Sequence, residues 1–170
     1  IWKTRRRVAT AGCCRNDFTP AASKSASLCL VHAFIDGDDI VNTMAIPAGI
    51  AELEDEMIAL RRRIHAQPEL AYEEFATGDL VAERLQEWGY TVHRGLGQTG
   101  VVGQLKVGSG TRRLGLRADM DALPIHETTG LPYASTVPGK MHACGHDGHT
   151  AILLAAAKHL AQEKNFDGTL

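Results

Sequence analysis

His142-Ala143-Cys144-Gly145-His146-Asp147-Gly148-His149-Thr150 is the stretch on which the reading of this chain turns. It gathers imidazoles, a thiol and a carboxylate, the side chains that bind transition metals. If His142–His146 runs extended, positions 142, 144 and 146 point to one side, because side chains alternate across a strand. One metal ion could then meet Cys144 and His146 together. A lone His or Cys is more often packed or solvated, but this density of donors favours a metal role. The spacing lacks the paired Cys or His knots of a structural zinc finger, which points to a catalytic site completed by distant residues.

Downstream of the cluster, Ile152, Leu153, Ala156 and Leu160 recur on one face of a helix, with Asp147 placed to serve as its N-cap. Upstream, residues 122–141 lack periodicity and hold Pro124, Gly130, Pro132, Pro138 and Gly139. A loop of that length is functional or disordered, and its position between two groups of candidate ligands favours function. The other group is Asp119-Met120-Asp121, carboxylates at i and i+2 beyond the predicted strand Arg113–Ala118. Strand carboxyl ends are where open α/β sheets place their sites; an acidic surface turn reads the same way.

Further upstream, strands are predicted at Tyr90–His93 and Val101–Val107, the latter joined to Arg113–Ala118 by a Gly108-Ser109-Gly110 hairpin turn. A helix from Glu73 or Phe75 to Trp88 would turn Leu80, Val81, Leu85 and Trp88 inward and stop at Gly89. Before it, Ile50, Leu53, Met57, Leu60 and Ile64 form an apolar stripe at helical spacing. Acids lead and arginines trail along this helix, as the helix dipole favours, and Pro68 ends it. His65 reads as a dipole-favoured histidine in the last turn rather than a ligand.

Residues 1–43 carry no such pattern. An Arg-rich, Ser-rich start resembles a transit peptide, and the basic-then-apolar order resembles a signal peptide. The favoured reading makes Met44 the first residue of the fold and 1–43 a leader not native to it. The 170 residues are 44% hydrophobic and 22% charged, enough for one domain with a core. A net charge of −2 gives no electrostatic case for nucleic acid, and no apolar run is long enough for a bilayer. Cys13, Cys14 and Cys29 lie in the leader, so a disulfide framework is not expected and a reducing, cytoplasmic compartment fits. Thr169-Leu170 reads as the first step of a strand, and the chain is expected to be a piece of a longer protein.

Several phrases together resemble one family. They are Arg62-Arg63-Ile64-His65-Ala66-Gln67-Pro68-Glu69-Leu70, Glu73-Glu74-Phe75-Ala76-Thr77, Arg117-Ala118-Asp119-Met120-Asp121-Ala122-Leu123-Pro124-Ile125 and Met141 to Thr150. Residues 50–170 are similar to the M20 metallopeptidases, in the amidohydrolase branch with hippurate hydrolases, N-acyl-L-amino-acid amidohydrolases and auxin-conjugate hydrolases. The resemblance implies an α/β fold: the first part of a zinc-exopeptidase-like catalytic domain, with a mixed sheet flanked by helices. It implies that Cys144 and His146 are metal ligands and that Asp121 is the functional carboxylate. Two divalent ions, zinc or manganese, would serve hydrolysis of a small N-acyl amino acid. The remaining ligands, a carboxylate base and a dimerisation or lid domain that would make a homo-oligomer are implied beyond Leu170, so 1–170 alone is expected to be inactive. His142 and His149 are expected to orient ligands rather than bind. The competing expectation is a non-catalytic module whose closed zinc site uses His142, Cys144, His146 and His149.

Overall fold

A computed structural model describes residues 46–170; the leader expected over 1–43 lies outside the described residues. The apolar stripe beginning at Ile50 forms two helices instead of one, a single turn α1 (Ala48–Ala51) and then α2 (Glu54–Ala66). Leu53, Met57, Leu60 and Ile64 are buried, as the spacing predicts, and Glu54, Asp55 and Glu56 occupy the first turn of α2. Each such side chain contributes about 1.5–3 kcal/mol on leaving water. The helix closes where Gln67 N–H donates to Ile64 O, just before the fully buried Pro68.

Helix α3 (Phe75–Glu87) also buries its predicted face through Leu80 and Leu85, with Val81 and Trp88 packed partly against the core. Its cap comes from upstream. The Glu69 carboxylate accepts from Ala76 N–H at 3.0 Å, Thr77 N–H at 2.8 Å and the Thr77 hydroxyl at 2.8 Å, satisfying donors that a helix start leaves free. Gly78 lets the helix approach the sheet, since a Cβ there would lie 3.1 Å from Thr99 O.

The strands depart from the sequence prediction. The hairpin joins β1 (Thr91–Leu96) to β2 (Gly100–Gln104), with Val92 opposite Gly103 and His93 opposite Val102. Its turn holds Gly97 and Gln98 at φ 60 and 80, the left-handed backbone that tight hairpins need. The predicted strand Val101–Val107 is split. At the buried Leu105 it leaves β1, and β3 (Lys106–Val107) pairs antiparallel with β4 (Gly168–Thr169). Gly108-Ser109-Gly110 is therefore no hairpin turn; Gly110 N–H donates instead to the Asp167 carboxylate at 2.6 Å. The predicted strand Arg113–Ala118 reduces to one parallel bridge, Arg113 to Thr169. Beyond Leu114 N–H, which donates to Thr169 O at 2.9 Å, the segment has no ladder partner among the described residues. A strand is defined by its neighbours, so extended backbone alone does not make one.

Helix α4 (His146–Glu163) packs across α2 and α3, burying Ala151, Leu154 and Ala161. The core thus lies between α2, α3, α4 and the inner face of β2, and the start of α4 faces the C-terminal end of α2. No helix among the described residues is long and apolar enough to cross a membrane.

Candidate metal centre

The cluster is a turn running into α4 rather than an extended strand. Gly145 N–H donates to His142 O at 3.2 Å, Gly145 sits at φ 80, and His146 is the first residue of the helix. The alternation expected of 142, 144 and 146 is lost. His142 is buried at 3% exposure, Cys144 is an exposed free thiol, and His146 lies between these extremes. His142, Cys144, His146 and His149 therefore do not converge. Among the described residues no group of three His, Cys, Asp or Glu side chains is placed to hold a metal ion, and the closed zinc module has no geometric support. His149 instead stacks its ring beside His146, with centroids 5.5 Å apart.

The acidic pair is brought to this helix. Nδ1 of His146 lies 3.0 Å from both Oδ1 and the backbone O of Asp121, and the Thr150 hydroxyl donates to Asp119 O at 3.2 Å. With Nδ1–H engaged by a carboxylate, the Nε2 lone pair of His146 is left for another partner, the arrangement that metal-binding histidines use. The soft thiol of Cys144 two residues earlier is accessible. This donor pair suits a transition metal. The Asp119 carboxylate pairs instead with the exposed Arg117 guanidinium. A cavity of about 680 Å³ opens beside these aspartates, walled by Leu114, Leu116, Val101 and Leu153.

Asp147 is not the N-cap. Gly145 holds that position, and Asp147 is fully buried, its Oδ2 accepting from Arg61 Nε at 3.0 Å and meeting His65 Nδ1 at 2.9 Å. Burial pushes its pKa up, but the His65 hydrogen bond, the Arg61 charge and the Gly148 amide outweigh that and leave it lowered. His65 lies in the last turn of α2, as expected, and is buried at 6% exposure. Its Nε2 lies 3.2 Å from Glu127 Oε1 on the 122–141 loop.

That loop is ordered. Leu123 and Met141 exchange backbone hydrogen bonds at its base, and Thr136 donates from N–H and hydroxyl to Ala66 O. Within it, the Thr129 hydroxyl, the Ser135 amide and His65 draw the Glu127 pKa down to about 2. Sequence reasoning missed His65, Arg61 and Glu127. Arg61 and His65 stand at i and i+4 beside the apolar stripe, the one available sign that they share its inward edge.

Residues 115–170 match the family model for peptidase family M20/M25/M40, and that stretch holds Asp121, Cys144 and His146. The chain belongs to peptidase family M20. It is 54% identical over 121 residues to hippurate hydrolase of Campylobacter jejuni, covering 71% of this chain and 31% of that protein. It is 44% identical over 131 residues to N-acetyl-L-cysteine deacetylase of Bacillus subtilis, covering 76% and 32%. Among solved structures it superposes on the Bacillus subtilis YXEP protein, a dinuclear metal binding peptidase from the M20 family, with a TM-score of 0.66 and 38% identity. That match covers 70% of this chain and 34% of the other. The M20 chain described here thus spans about a third of the length of these relatives.

Proposed function

We propose that this M20 chain contributes the Cys144 and His146 ligands to a metal-dependent amidohydrolase that releases an amino acid from a small N-acyl conjugate of the hippurate type. The observation that carries the reading is the Asp121–His146 pair at the start of α4, beside the exposed thiol of Cys144. Cys144 would bind as thiolate, which favours zinc, while manganese remains the family's other metal. Asp121 accepts a hydrogen bond from Nδ1–H of His146, which fixes the tautomer and leaves the Nε2 lone pair free for a metal. Divalent metal held by Cys144 and His146 together with further ligands would supply water activation and carbonyl polarisation. The thiol at Cys144 must shed its proton to serve, and a reducing, cytoplasmic setting keeps it free for that. Oligomerisation through a further domain belongs to the same proposal.

The test is hippurate hydrolysis by the full-length protein, followed as glycine release. Chelator and Cys144→Ala are each expected to abolish turnover, whereas 1–170 alone is expected to show none. Full activity in Cys144→Ala overturns the ligand assignment.

A further inference from the structure

Helix α4 starts without a side-chain cap, yet the turn that precedes it has to hold Cys144 and His146 in place. Both ends of that turn rest on one residue. At its far end, Asp147 Oδ2 meets His65 Nδ1 at 2.9 Å; at its near end, the buried His142 ring lies 6.2 Å from the His65 ring. Cys144 and His146 sit on the arch between. His65 is itself fixed from a third direction, by Glu127 Oε1 at 3.2 Å from Nε2 and by the Tyr133 ring edge-on at 5.6 Å. Each ring nitrogen faces a carboxylate. With the half-exposed Arg61, the ring is set against the carboxylates of Asp147 and Glu127.

We propose that His65 is a positioning residue for the metal-ligand turn 142–147, acting through Asp147 on the ligand side and through Glu127 on the loop side. The proposal rests on the reading of Cys144 and His146 as ligands. A buried charge cluster serving stability alone would tie α2 to α4 anywhere along their contact. This one joins them at the residue next to His146, and the Glu127 arm ties in the loop that Asp121 and the cluster bracket.

The two arms can be separated by chemistry. In His65→Asn the side-chain amide falls near the place of Nδ1 and keeps a donor for Asp147. In His65→Gln it falls near Nε2 and keeps only the Glu127 contact. The readout is the cobalt(II) concentration that half-protects Cys144 of the 170-residue chain from alkylation, quantified on the peptide that carries it, with folding checked by circular dichroism. Outer partners of metal ligands are worth about tenfold to a hundredfold in affinity, so His65→Gln is expected to raise the midpoint about tenfold and His65→Asn to stay within about twofold. Equal midpoints in both variants and wild type, or equal losses in both, overturn the proposal. Where His65→Gln does not fold, Asp147→Asn carries the test: it keeps the side chain's shape, weakens the contact with His65 Nδ1 and is expected to raise the midpoint about tenfold, and an unchanged midpoint overturns the proposal. If cobalt fails to protect Cys144 in the wild-type chain, the ligand reading itself falls and this proposal falls with it, an outcome distinct from a protected wild type with indifferent variants.

Discussion

The face built from α2, the 122–141 loop and the start of α4 differs sharply from the face built from the β1–β2 hairpin and the 113–118 segment. On the first, Leu60 and Ile64 are buried, and Asp147, His65 and Glu127 hold one another away from water. On the second, β1 is exposed along nearly its whole length, and Leu114 and Leu116 stand 57% and 53% exposed. The contrast follows from backbone chemistry. A helix closes its hydrogen bonds within itself, so two helices and a loop can complete a packed face locally. A strand closes them only on a neighbour. The residues singled out for metal chemistry, Cys144, His146 and Asp121, stand at the edge of the completed face.

The hardest blow to that face should come from Asp147→Ala. It removes the acceptor shared by Arg61 and His65 and leaves a buried histidine with an unmatched donor. Breaking a buried pair on one side costs about 3–5 kcal/mol, read as a fall in the urea unfolding free energy of the chain. A loss below about 1 kcal/mol, the range of exposed pairs, would mean the network is solvated and the two faces are not as different as drawn.

Acid should act next, through the loop. The Glu127 pKa is drawn from 4.5 to about 2 in the folded chain. A depressed carboxylate stabilises above its unfolded pKa and loses that contribution as the pH falls through the folded value. Melting measured between pH 5 and pH 2 should therefore decline, and the decline should be shallower in Glu127→Gln. Hydrogen bonds to a charged group are worth about 1.5–3 kcal/mol, so the difference between the two curves should be of that order. Parallel curves would remove Glu127 from the network.

Legibility in the sequence follows the same divide. Periodicity located α2, α3 and α4 because the apolar residues at three- and four-residue steps are the ones that pack. It could not tell the turn at Gly108–Gly110 from the one at Gly97–Thr99, since glycine marks both and only the pairing register decides. Strand alternation, the ground in the sequence for facing Cys144 and His146 the same way, does not hold in the fold. Gly145 in left-handed backbone starts a helix there, sending His142 inward and leaving Cys144 outside. His65 does sit in the last turn of α2, but its burial was not legible because its partners, Asp147 and Glu127, lie 82 and 62 residues away. A helix-end histidine looks identical in one dimension whether water or a carboxylate faces it.

The smallest effect belongs to the open face, and it sharpens the comparison most directly. Leu116 is apolar, more than half exposed, and part of the wall of the cavity beside Asp119 and Asp121. Leu116→Thr keeps a side chain suited to extended backbone and removes apolar surface that the described fold does not cover. Surface changes of this kind fall within about 0.5 kcal/mol of zero, so urea unfolding of the 170-residue chain should not distinguish it from wild type. The same substitution in the full-length protein is the informative partner. If the wall is packed over there, the cost should rise to the roughly 2–5 kcal/mol of a core truncation. A cost of that size in the 170-residue chain would instead show that Leu116 is already buried in solution, and the division between a completed face and an open one would have to be redrawn.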